Sequence, residues 1–161
     1  RRGHTIAIHT YHHDFEECYS SEDGYFEDLN KMQEIVKEQT GQETTLVRFP
    51  GGSSNTISAN YCSGIMTLLA ADLEAMGYQY FDWSVSSGDA GETTDTSTVV
   101  ANVTGGIASN GEDYPNVVLQ HDIKQFSVNA VEDIILWGLD NGYTFLPLDS
   151  TSPTVHHPIN N

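Results

Sequence analysis

Four short segments carry the side chains best suited to chemistry. In His9-Thr10-Tyr11-His12-His13, three residues separate His9 from His13. If the loop opens with one helical turn, both imidazoles lie on one side, where a divalent metal would need them. A tetrahedral ion held by two histidines still wants a carboxylate and an open water position. The bland alternative is that three histidines in five residues are loop surface, with His12 pointing away from its neighbours. His121 follows an apolar run, where a partly buried imidazole donates or accepts a proton near neutral pH or is simply a satisfied core residue. Asp82 could orient that imidazole by accepting its second N–H, or could cap a turn. Arg48 is the only cation between Lys37 and Lys124 and ends an apolar segment, so a carboxylate partner is expected. Pro50-Gly51-Gly52 behind it permits close backbone approach, either to aim N–H groups at a developing oxyanion or to make a plain tight turn.

These residues need elements to hold them. Thr5 to His9, Thr45 to Phe49, Tyr78 to Trp83, Asn116 to Gln120 and Tyr143 to Leu148 are short, β-branched or aromatic runs and predict five strands, Pro147 limiting the last. Helices are predicted over Tyr25 to Gln39 (Leu29, Met32, Ile35, Val36, with Gly41 as cap), Ile57 to Met76 (Ile65, Leu68, Leu69, Leu73, Met76), Thr96 to Ser109, and Ser127 to Leu139. In the last, Ser127 is the candidate N-cap and Val131, Ile134, Ile135 and Leu139 face a core. The alternation reads as parallel β/α structure, in which chemistry gathers at the C-terminal ends of strands. Each loaded segment falls at such an end, so all four are expected on one face.

Composition excludes several partners. The chain has 161 residues, with 23 acidic against 6 basic side chains and a net charge of −17. Clustered Lys and Arg, which nucleic acid and anionic lipid require, are missing; a neutral or cationic ligand suits the charge better, as does mere solubility. With 38% apolar and 10% aromatic residues the chain can bury a core, and a single domain over 1–161 is expected. No window is apolar enough for a membrane span and no signal segment is visible. Cys18 and Cys62 read as two unrelated buried thiols, although a pair in a secreted protein is possible. The sequon Asn102-Val103-Thr104 reads as accidental, and His156 and His157 as surface residues.

Taken in order, His9-Thr10-x-x-His13, Arg48-x-Pro50, Asp82-Trp83 and Leu119-x-His121-Asp122 resemble the second to fifth motifs of the NodB-type polysaccharide deacetylases, carbohydrate esterase family 4. The resemblance covers nearly the whole chain. It implies a distorted (β/α) barrel, here five strands and four helices of an incomplete one, and a divalent metal, zinc by default with Co2+ or Ni2+ as substitutes. It also implies hydrolysis of N-acetyl groups on N-acetylglucosamine polymers, with peptidoglycan preferred over chitin or acetyl-xylan, in an extracellular or cell-envelope setting. By that likeness His9 and His13 are metal ligands, His121 protonates the leaving amine, Asp82 tunes His121, and Arg48 holds the catalytic-base aspartate. The N–H of Gly51 contributes to the oxyanion hole, and Leu119 and Trp83 line the acetyl pocket.

Two departures accompany the likeness. Gly51 stands where an aromatic residue usually follows the proline. The aspartate pair of the first motif, source of the base and of the third metal ligand, is absent; neither Asp14 nor Asp23 lies in a matching context. The expectation is an N-terminally truncated piece of a longer enzyme, with a non-catalytic carbohydrate-binding relative or a purely structural β/α domain as alternatives.

Overall fold

The computed structural model describes residues 2–111 and 114–161, leaving Arg1, one of the cations counted above, outside the described residues. The chain forms two compact units, one of 1–82 with 148–161 and one of 83–147.

In the first unit, β1 (Leu46–Val47) and β2 (Gln79–Tyr80) pair in parallel, and Ile8 adds a parallel bridge to Val47. The predicted strand over Thr5 to His9 is thus reduced to one residue. Ile8 is fully buried and exchanges bonds with Leu46 O and Arg48 N, but Ile6 is 51% exposed, so only one side chain of the run has a core to enter. Two helices follow the bridge. The first, α1 (Phe15–Tyr19), has no counterpart among the predicted helices; it forms because the Asp14 carboxylate accepts from the amides of Glu16 and Glu17, and acidic residues suit a helix N-terminus. The second, α2 (Glu22–Thr40), starts earlier than predicted, at the N-cap Ser21, and ends at Gly41 in the left-handed conformation foreseen for it.

The helix predicted over Ile57 to Met76 is shorter. A 3-10 turn at Ser58–Asn60 is followed by left-handed Gly64, and only then does α3 (Ile65–Ala75) begin. Ile65, Met66, Leu69 and Leu73 are buried, while Leu68 and Met76, expected on the stripe, face solvent. Tyr19, Tyr25, Leu29, Val47, Phe49 and Tyr80 complete this core, and Cys18 lies in it with Cys62 packed against it as free thiols.

In the second unit, β3 (Val85–Ser86) pairs in parallel with β4 (Val118–Leu119). β3 was not expected; the aromatic run before it yields only Gln79–Tyr80 as strand. α4 (Thr96–Asn110) survives its glycine pair because Gly106 packs tightly, an added Cβ there falling 2.7 Å from Val85 Cγ1. α5 (Gln125–Asp140) starts ahead of Ser127, with Lys124 at the cap position. Ser127 is therefore buried within the helix rather than capping it, and the buried stripe runs Ser127, Ala130, Ile134, Gly138. Val131, Ile135 and Leu139 are rotated outward, 37–57% exposed, because the small residues form the line of closest approach. Tyr143 to Leu148 forms no strand: Tyr143 N–H returns to Gly138 O, Phe145 lies over Gly138, and Leu146 is 79% exposed.

Every strand pair described is parallel, and the architecture is α/β. No helix among the described residues is long and apolar enough to cross a membrane.

Candidate active site

The C-terminal ends of the first unit's strands carry His9, Arg48 and Asp82, and backbone carbonyls link them. His9 Nδ1 lies 2.8 Å from Arg48 O. A carbonyl only accepts, so Nδ1 carries the hydrogen and the ring's basic lone pair is on Nε2, the arrangement that metal-ligating histidines commonly use. The His13 ring stands edge-on to His9 with centroids 4.9 Å apart. No helical turn brings them together. Thr10 (φ 62°) and His13 (φ 52°) instead adopt left-handed backbone, and Thr10 Oγ1 donates to His9 O (2.6 Å) and accepts from His13 N–H (3.1 Å). Two such residues in one short loop mark strain of the kind that clusters at functional sites.

The remaining first-unit assignments change in detail. Arg48 Nε donates to Phe81 O (3.0 Å) and Nη2 to Asp82 O (3.3 Å), so carbonyls take the place of the expected carboxylate. Burial lowers its pKa, with the nearby Asp82 charge opposing. The buried Asp82 carboxylate accepts Ser53 N–H (2.8 Å), Ser53 Oγ–H (2.5 Å) and His157 N–H (2.8 Å). Its carboxylate thus braces a loop and the C-terminal tail, where the sequence suggested it would orient His121. His157, expected at the surface, is tied in through that amide and through Nδ1 to Ser54 Oγ (3.1 Å), while His156 stacks on Tyr80 at 3.8 Å. Gly51 is left-handed (φ 74°), and a Cβ there would meet Asn55 Cβ at 3.1 Å and the Phe15 ring at 3.2 Å, so glycine is required by both conformation and space. His12 is exposed, as the loop-surface reading expected, but it also contacts Asp28 and Glu17.

In the second unit His121, two residues past β4, is gripped by a residue that the sequence reading missed. Asp89 Oδ1 lies 2.7 Å from His121 Nδ1, and Oδ2 accepts His121 N–H (2.7 Å) and Ser127 Oγ–H (2.5 Å). Burial alone would raise the Asp89 pKa, but bonds from Ser127, His121 and Ser87 outweigh it and hold the group at about 2. Asp89 is 1% exposed and stays ionised, so the Nδ1–H of His121 is fixed and its reactive nitrogen is Nε2. The signal was available: Asp89 stands three residues past β3, at the same kind of strand end as the others. Leu119 and Trp83 are partly buried, and Asn102 of the sequon lies inside α4 with Nδ2 donating to Ser87 O (2.9 Å).

Comparison with known proteins fits this chemistry. A family model described as polysaccharide deacetylase matches residues 1–65. The crystal structure of the catalytic domain of a peptidoglycan N-acetylglucosamine deacetylase from Eubacterium rectale ATCC 33656 is 55% identical, with a TM-score of 0.95, covering 99% of this chain and 72% of that one. The chain belongs to the polysaccharide deacetylase family. A carbohydrate esterase family 4 enzyme from Streptococcus mutans is 27% identical with a TM-score of 0.73, over 91% of this deacetylase-family chain and 64% of that structure. A peptidoglycan-N-acetylglucosamine deacetylase of Bacillus cereus is 25% identical over 98% of this chain. The chain spans about half the length of the curated relatives it matches, 52% and 54%.

Proteins of this family are generally metal-dependent. The donor set suits an ion: imidazole nitrogen is a favoured ligand of zinc, cobalt and nickel, and the His9 tautomer set by Arg48 O puts the ring's lone pair on Nε2, the atom through which His9 would hold one.

Proposed function

We propose that this chain forms part of a metal-dependent deacetylase that hydrolyses N-acetyl groups on N-acetylglucosamine polymers, peptidoglycan first, outside the cell or in its envelope. The observation that carries this reading is the Asp89–His121 pair, an imidazole whose Nδ1–H is fixed by an ionised, buried carboxylate.

His9 and His13 would hold the ion, zinc or in its place Co2+ or Ni2+. When bound, the ion supplies Lewis acidity to the acetyl carbonyl. The chain's own groups do the rest. The N–H of Gly51 donates to the oxyanion as the carbonyl carbon becomes tetrahedral. His121, its Nδ1–H held by Asp89, gives the Nε2 proton to the leaving nitrogen as the C–N bond breaks, so the sugar departs as the amine and acetate keeps the oxygen of water. By the family likeness Arg48 would hold the base, to which no residue of this sequence is assigned. Leu119 and Trp83 contact the acetyl methyl.

A second reading is glycan binding without chemistry. The two separate by acetate release from N-acetylglucosamine oligomers and peptidoglycan, measured on the protein carrying this sequence with zinc. Release that falls in His121→Ala supports the enzyme; saturable oligosaccharide binding with no acetate supports the binding protein.

A further inference from the structure

The stripe of α2 that enters the core includes a carboxylate. Asp28 lies one turn from Tyr25, beside Leu29, and is 6% exposed. A buried carboxylate is costly unless its oxygens are hydrogen-bonded, and here the donors come from the loop between His9 and His13. Oδ1 accepts Tyr11 N–H at 2.7 Å; Oδ2 accepts His12 N–H at 3.2 Å and lies 2.7 Å from His12 Nδ1. Glu17 of α1 also reaches His12 Nδ1, at 2.7 Å. One side chain therefore fixes two successive amides and one imidazole in a loop whose residues on either side, Thr10 and His13, are left-handed.

His12, Glu17 and Asp28 have ligand atoms within 4.8 Å of one another, which also suggests a cation site. The hydrogen bonds argue otherwise: both Asp28 oxygens already serve N–H donors of the chain. The cluster is a clamp on a strained loop, and that loop carries the two imidazoles assigned to the metal.

We propose that Asp28, assisted by His12, sets the spacing of His9 and His13 for metal binding. Without it the loop relaxes from its left-handed turns and the two rings separate. The proposal rests on the metal reading above, and the test separates the two. Zinc affinity is measured by calorimetry on the 161-residue chain and on His9→Ala, His13→Ala, Asp28→Asn, His12→Ala and Val36→Ala, with melting temperatures for all. Val36 is buried on the same helix and reports helix destabilisation alone. Asp28→Asn is expected to weaken zinc about 10-fold, the low end for groups that support metal ligands, and His12→Ala about 3-fold because the two amide bonds remain. Val36→Ala should lower the melting temperature and leave zinc unchanged. A folded Asp28→Asn with affinity within about twofold of the parent overturns the proposal; if that variant does not fold, unchanged affinity in His12→Ala does so. Affinity sensitive to His9 and His13 but indifferent to Asp28 overturns the clamp alone. Affinity indifferent to His9 and His13 overturns the metal reading and the clamp with it.

Discussion

Asp89 meets His121 at two points, Oδ1 to the ring Nδ1 and Oδ2 to the backbone N–H, each at 2.7 Å. A carboxylate bound to both amide and ring of one residue leaves the imidazole little freedom to rotate. Asp89→Asn keeps the shape and removes the charge that balances an imidazolium. Acetate release by the protein carrying this sequence should fall about 100-fold or more, with KM little changed. A loss confined to KM would show that Asp89 serves binding and not proton transfer.

The same carboxylate makes stability depend on acidity. Its pKa is about 2 in the fold, below the roughly 3.9 of an unfolded aspartate. The unfolded chain thus takes up the proton first as pH falls. The contribution, about 2–3 kcal/mol, is fully present well above about pH 4 and is lost as pH drops through about 2. Urea unfolding of the parent and Asp89→Asn at pH 6 and pH 2.5 measures it: the gap between the two proteins should narrow toward acid.

Adjacent glycines of α4 should respond oppositely to alanine. Gly105 has nothing within 4 Å of an added Cβ, so Gly105→Ala should stabilise by about 0.5–1 kcal/mol through helix propensity. At Gly106 the Cβ would fall 2.7 Å from the stiff, buried Val85, so Gly106→Ala should destabilise by about 1–3 kcal/mol. Thermal unfolding of the two variants checks both signs.

The strand-end rule made much of the site legible. His9, Arg48 and His121 stand at or just past strand ends because parallel β/α structure delivers its loops there, and the apolar runs before them are readable. What stayed hidden has physical causes. Asp89 follows a strand of two residues, too short to show alternation. Asp28 sits on a core stripe where a hydropathy pattern registers only a polar gap. Ser127 looks like a cap because serine favours that position, yet a tertiary bond to Asp89 draws it inside. The five expected strands were read from β-branched runs, and such runs form ladders only where a neighbour offers one.

The two thiols should differ in reactivity. Burial raises the pKa of Cys18, which has no exposed surface, whereas Cys62 is partly exposed. Native protein should give one fast equivalent with Ellman's reagent, lost in Cys62→Ser, and a second only on unfolding.

With two imidazoles as the assigned protein ligands and no assigned base, the 161-residue chain by itself should turn over little or no substrate. Strong acetate release from pure chain with one equivalent of zinc would show that a carboxylate within it acts as base.

The Asp82 carboxylate joins residues far apart in the chain, Ser53 and His157, within a unit whose two stretches are interrupted by residues 83–147. The second unit is continuous, but the first cannot close until the intervening segment has been synthesised and residues 148–161 have returned. Its final steps are thus long-range and slow, and a ribosome-bound chain that has not yet released His157 would hold a carboxylate awaiting that hydrogen-bond donor. Asp82 is in that sense a checkpoint for the return of residues 148–161 to the first unit, read out as late resistance to proteolysis.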